Sequence, residues 1–180
     1  MITVFTGTNR KNSRSRLIAE FIFNLLKEES NEEVRIFNLE DLSSDFFHPE
    51  MYNTEGQSKV LHYIQEKFLI PANKLFFVVP EYNGGIPGVL KLFIDACSVN
   101  KYKESFQGGK KAALIGVSAG RSGGLRGMEA LTGILNYLTL TVLPNKLPLS
   151  SIESLLTNDQ LTDPETIKVI QKQVSDFIKF

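Results

Sequence analysis

Strand-like and helix-like hydrophobic periods take turns along this chain, and that alternation limits the fold more than any other feature. Ile2–Thr6 is a short β-branched and aromatic run stopped by Gly7. Val34–Leu39 has the period of two that a strand requires. Lys74–Val79 and Lys111–Val117 are compact apolar runs, the mark of strands covered on both faces. Leu138–Leu143 alternates and stops at Pro144. Between these lie apolar stripes of helical spacing: Leu17, Phe21 and Leu25 with Ile18, Ile22 and Leu26; Val60, Ile64 and Phe68; Val89, Leu90, Phe93, Ile94 and Cys97; Met128, Leu131, Leu135 and Leu138. A last stripe, Ile167, Ile170, Val174, Phe177 and Ile178, opens with Thr162-Asp163-Pro164-Glu165, where a capping oxygen, a proline in the first turn and a glutamate at capping-box spacing start a helix. Strands joined by helical crossovers run parallel, and right-handed crossovers cover both faces of the sheet. The expected fold is α/β, a doubly wound sheet of about five parallel strands in the order 2-1-3-4-5. Ligands of such sheets sit at the carboxyl ends of strands beside the switch point, which directs attention to the loops after strands one, three and four.

Composition narrows the functional classes. The 180 residues suit one domain spanning 1–180, and no repeat or linker divides them. Lys and Arg number 20, as do Asp and Glu, so the surface as a whole is no electrostatic trap for nucleic acid. Cys97 stands alone and cannot form an internal disulfide. Apolar runs such as Leu75–Val79 fall far short of the roughly 18–20 residues of a membrane span. Met1 leads straight into a strand-like run rather than a secretion signal, so the chain reads as soluble and cytoplasmic.

The loop after the first strand, Gly7-Thr8-Asn9-Arg10-Lys11-Asn12-Ser13-Arg14-Ser15-Arg16, carries three hydroxyls and four cations, and no acid appears before Glu20. Free amides at the start of the next helix, its dipole, hydroxyls and an Arg together make an anion site. A capped helix start on Asn12 or Ser13 with a solvated basic surface explains the same residues equally well. Neither the G-x-x-x-x-G-K-[ST] nor the G-x-G-x-x-G phosphate fingerprint follows this strand. The loop after the third strand runs Pro80-Glu81-Tyr82-Asn83-Gly84-Gly85-Ile86-Pro87-Gly88. Its bare glycines would let a flat ring approach the backbone, although on these residues alone a plain Gly/Pro turn with Tyr82 packed locally is the better reading. After the fourth strand, Ser118-Ala119-Gly120-Arg121-Ser122-Gly123-Gly124 could form a third wall.

Taken together, Gly7-Thr8-Asn9-Arg10 with Ser13, and Pro80-Glu81-Tyr82-Asn83-Gly84 with Pro87, Leu90-Lys91 and Ile94-Asp95, resemble the NADPH-dependent FMN reductase family of flavodoxin-like proteins. The second motif is long and specific, and the resemblance runs through about residue 145, beyond which only a terminal helix is expected. It implies an FMN phosphate held by Thr8, Arg10, Ser13 and Ser15. It implies an isoalloxazine ring along Pro80, Glu81, Tyr82, Asn83, Gly84 and Gly85, with Ser118, Ala119 and Gly120 beside the ring and ribityl chain. Departures stand at Ser15, Gly85 and Ala96, where Asn, Ser and an aromatic are common. The implied activity is hydride transfer from NAD(P)H through bound FMN to a quinone, flavin or similar small acceptor, in a homodimer or homotetramer. The flavin carries that chemistry, so no catalytic side chain is required.

Alternatives remain a flavin-holding electron carrier and a degenerate relative that has lost the flavin. A phosphoacceptor domain on the same sheet would need acids at the ends of strands one and three, and strand one ends in Thr6-Gly7. His48, His62 and Cys97 show no metal or nucleophile spacing. Arg121 could meet a nicotinamide phosphate or an anionic substrate. Asp41–Gly56, polar and aromatic without period, is expected to cover the site or to contact a second subunit.

Overall fold

Three strands are buried on both faces because helices cover both: β1 (Ile2–Thr6), β3 (Lys74–Pro80) and β4 (Lys111–Val117). The computed structural model describes residues 1–180. β2 (Val34–Asn38) pairs with β1 in parallel, Ile2 beside Val34, and the order across the sheet is β2-β1-β3-β4-β5. Every pair in it is parallel. Helices α1 (Arg14–Glu29) and α6 (Pro164–Lys179) share one face, where Ile18, Ile22, Leu26, Ile170, Val174 and Phe177 meet Val4, Phe76 and Ile115. On the other face α2 (Lys59–Ile64), α3 (Gly88–Cys97) and α5 (Leu125–Tyr137) close over Phe5, Phe77 and Leu114. No helix is long and apolar enough to cross a membrane.

The fifth strand differs from the expectation of Leu138–Leu143. Leu138 closes α5 and Thr139 turns at φ 75°, so pairing begins only at β5 (Thr141–Val142), beside Lys111 and Ala112. Pro144 has no N–H to continue the ladder, and the chain returns as β6 (Leu147–Leu149) beside Ile115–Val117. Pro148 fits in β6 because that segment is at the sheet's edge. The gap leaves the carbonyl of Leu114 without a strand partner. Gln173 of α6, fully buried, fills it: its Nε2 donates to Leu114 O at 3.0 Å and to Asn145 O at 2.7 Å.

Other segments also depart from the sequence reading. The Val60–Phe68 stripe changes pitch after Ile64 into a π-turn, Gln65–Leu69. A short helix α4 (Tyr102–Phe106) follows α3. Asp41–Gly56 folds into successive 3₁₀ turns whose Phe46 and Met51 enter the core, and none of its residues lines the cleft described below, so it does not cover the site. More than a terminal helix follows residue 145. A 3₁₀ turn (Ile152–Leu155) and a small hairpin, β7 (Leu156–Thr157) with β8 (Gln160–Leu161), precede α6. Asp163 caps α6 by accepting from the Thr166 N–H at 2.8 Å, with Pro164 in the first turn.

Candidate active site

At the carboxyl ends of β1, β3 and β4 the loops part around a cleft of about 830 Å³. Its floor begins where Gly7 leaves β1, its Cα close enough to Leu90 and Val79 that a Cβ would lie 3.2 Å from each. Asn12 takes φ 53° and turns the chain so that Ser13 caps α1, its Oγ accepting from the Arg16 N–H at 3.3 Å. Ser15 donates its hydroxyl to Ser13 Oγ at 3.1 Å. The N–H groups of Ser13, Arg14 and Ser15 have no acceptor within the chain. They point from a helix N-terminus whose dipole adds positive potential, and this is the anion-binding geometry of such junctions.

The basic character of this loop is largely neutralised by acids distant in the sequence. Arg14 meets Glu153 at 2.9 Å through Nε and again through Nη2, and Nη1 meets Asp159 on the β7–β8 turn. Hydrogen bonds to Glu153 and then Asp159 hold that guanidinium still more firmly charged. Arg16 pairs with Glu20 at 2.8 Å and Glu40 at 3.2 Å. Arg10 and Lys11 alone keep no acidic partner. An anion here would be held mainly by amides and hydroxyls, with Arg10 beside them.

The opposite wall is Pro80-Glu81-Tyr82. Tyr82 and Gly85 exchange backbone hydrogen bonds of 3.0 and 3.1 Å around Asn83 and Gly84, whose φ values of 52° and 77° make a type I′ turn. The turn is braced from α5. Glu81 accepts from the Arg126 N–H at 3.1 Å and from its Nη1 at 3.0 Å, while Gly127 lies so near that a Cβ would come within 3.3 Å of Gly85 O. Tyr82 reaches back to the first loop, its hydroxyl 2.9 Å from Thr8 Oγ1. The third wall follows β4. Gly116 there has no room for a side chain, since a Cβ would lie 2.3 Å from Gly123 O; this close approach is why the Gly123-Gly124 pair precedes α5. Ser118 Oγ accepts from the Gly120 N–H at 3.0 Å, and Ser118 O receives the Ile152 N–H at 3.1 Å.

Of the residues expected at the site, Arg10, Ser13, Ser15, Pro80, Glu81, Tyr82, Ser118, Ala119 and Gly120 line the cleft. Thr8 does not: it is buried, accepting from the Arg10 N–H at 3.2 Å beneath Tyr82. Asn83, Gly84 and Gly85 form the turn beyond Tyr82, outside the lining. Arg121 is exposed and also outside it. His48 and His62 are remote, and burial pushes the Cys97 thiol well above its ordinary range. Sequence reasoning missed Arg14, Ile152, Glu153 and Asp159. Arg14 was visible as one of four cations; nothing local announced that its partners would come from 139 and 145 residues further along.

The model of the NADPH-dependent FMN reductase family matches residues 1–153. A 2-hydroxy-1,4-benzoquinone reductase of a Burkholderia species is 28% identical over 142 residues, covering 79% of this chain and 73% of the relative. A quinone reductase of Pseudomonas putida is 29% identical over 142 residues, covering 77% and 71%. Among solved structures, the flavoenzyme NAD(P)H:(acceptor) oxidoreductase FerB from Paracoccus denitrificans superposes with a TM-score of 0.79 at 22% identity, over 99% of this chain and 94% of that one. At that identity the likeness establishes the fold.

Proposed function

The chain belongs to the NADPH-dependent FMN reductase family, whose reductases use FMN and NAD(P)H, and on that premise we propose how its cleft serves the reaction. The observation that carries the reading is the set of unpartnered N–H groups of Ser13, Arg14 and Ser15 opening into a cleft whose second wall is Pro80-Glu81-Tyr82. Those amides, with the Ser13 hydroxyl and Arg10, fit a phosphate monoester. Pro80, Glu81 and Tyr82 offer a surface for a planar ring, and Ser118, Ala119 and Gly120 border it on the far side. The free N–H of Ala119 and the small side chains of that loop suit close approach to a ring edge. FMN, when bound, supplies the two-electron chemistry between NAD(P)H and an acceptor.

The protein's part is placement. The reaction asks for no acid–base side chain. The walls must expose one ring face and let a second flat molecule reach about 3–3.5 Å from the reactive atom. Tyr82 stands at the lip on the type I′ turn, and its hydrogen bond to Thr8 ties the ring wall to the phosphate loop. The acceptor that fits is a quinone or a similarly flat small molecule.

Titrating the purified protein with FMN tests this reading. We expect a bound flavin spectrum and NADPH oxidation that depends on added 1,4-benzoquinone. Ser13→Ala should weaken FMN binding by about tenfold or more, as loss of one hydrogen bond to a charged group implies, with riboflavin binding unchanged. A protein that neither perturbs the flavin spectrum nor oxidises NADPH with quinone present would overturn it.

A further inference from the structure

Arg14, at the phosphate end of the cleft, is held by two carboxylates that come from 139 and 145 residues further along the chain. Glu153 takes its Nε and Nη2 edge, and Asp159 takes Nη1. Both acids line the cleft and are largely exposed, so they face any ligand seated on the Ser13–Ser15 amides. Asp159 lies beyond the stretch that the family's model matches. Its position is set by the β7–β8 turn, where Asn158 and Asp159 take φ 51° and 57°. Two negative charges therefore flank a site built for an anion, and they engage the Arg14 guanidinium that lines it.

We propose that Glu153 and Asp159 hold Arg14 away from the flavin phosphate and so keep FMN loosely held and exchangeable. This rests on the reading of the cleft given above. Arg14 in this arrangement contributes no net charge to the phosphate, and the exposed carboxylates oppose it through partly screened solvent. The phosphate is left to the amides, the Ser13 hydroxyl and Arg10. Were either acid neutral, Arg14 would gain free donors at the edge of the site, where a bidentate grip on phosphate is its strongest option. The two acids are positioning residues acting through Arg14, and they touch no reacting atom.

The test compares FMN and riboflavin binding, followed by flavin fluorescence, in the wild type, in Glu153→Gln with Asp159→Asn, and in that double variant carrying Arg14→Gln as well. We expect the double variant to bind FMN five- to tenfold more tightly and to release it correspondingly more slowly on dilution. Riboflavin affinity should stay within twofold, and adding Arg14→Gln should return FMN affinity to near the wild-type value. The thermal transition of each protein without flavin reports whether the fold is kept. Equal changes for FMN and riboflavin, or weaker FMN binding in a double variant that folds normally, would overturn the proposal while leaving the cleft assignment intact. If the wild type binds FMN no better than riboflavin, no phosphate is held on these amides, and the assignment falls together with the proposal.

Discussion

Single residues in this protein close gaps that regular structure leaves open, and Lys110 is the clearest case. Its side chain is almost wholly buried, and its Nζ donates to the carbonyls of Leu69, at 2.8 Å, of Ile70, at 3.0 Å, and of Ala72, the last carbonyls of the π-turn and the bend after it. A helix end leaves such carbonyls without partners, and a cation there satisfies them. Burial pushes its ammonium down from 10.5 to about 8. Below pH 8 both the folded and unfolded chains carry the proton, so the effect on stability is constant. Between about 8 and 10.5 the unfolded chain holds more protons than the folded one, and stability from this residue rises with pH. Lys110→Met should lose about 1–3 kcal/mol at neutral pH because three carbonyls lose their donor. In denaturant titrations, the gap between wild type and variant should widen from pH 7 to pH 9.5. A gap that narrows over that range would mean the amine is not held in the low-dielectric setting described.

At the scale of elements, the divided fifth strand shows how one residue type decides what a sheet edge can be. Pro144 stops the ladder between β5 and β6, and Gln173 supplies the missing donor from a helix rather than from a strand. Gln173→Leu keeps the volume but leaves the carbonyls of Leu114 and Asn145 without that bond. It should destabilise the fold by about 2 kcal/mol, read as a lower denaturant midpoint at an unchanged m-value, with FMN affinity unaffected because α6 does not line the cleft. The alternation of periods made β1 to β4, the four long helices α1, α3, α5 and α6, and the sheet order legible, since each of those elements buries an unbroken face of its own. What stayed hidden depends on contacts between distant segments. Leu138–Leu143 reads as one strand because its hydropathy alternates, yet Thr139 turns the chain and Pro144 cuts it. The β7–β8 hairpin has only two residues per strand, too short for any period to register. Half of the cleft-lining residues were legible because they cluster just after three strands. Thr8 belongs to the first of these clusters, and its hydroxyl meets Tyr82 and the Arg10 N–H.

The cleft also joins the two halves of the whole molecule. Ser13, Arg14 and Ile152 belong to the side packed around α1 and α6, while Glu81 is fixed by Arg126 at the start of α5 on the opposite face. The Thr8–Tyr82 hydrogen bond ties the first loop to the ring wall, and the Ser118–Ile152 and Gly120–Ser151 backbone bonds are among those that tie the β4 loop to the segment after β6. A ligand that spans from the α1 amides to Pro80–Tyr82 bridges elements that pack into the core on opposite faces of the sheet. It binds the native arrangement and not the unfolded chain, because the amide cradle exists only when α1 is formed against β1. At a free concentration of one hundred times its Kd such a ligand adds about 2.7 kcal/mol of stability. For a chain of this length that corresponds to a rise of roughly 5–10 °C in Tm. FMN should produce this rise. Riboflavin at the same concentration should produce less, since it cannot occupy the amides of Ser13, Arg14 and Ser15. The difference should shrink in Ser13→Ala, whose cap and cradle are both weakened. Equal shifts from the two flavins would place the binding energy on the ring wall alone, and the phosphate cradle would then be only a capped helix.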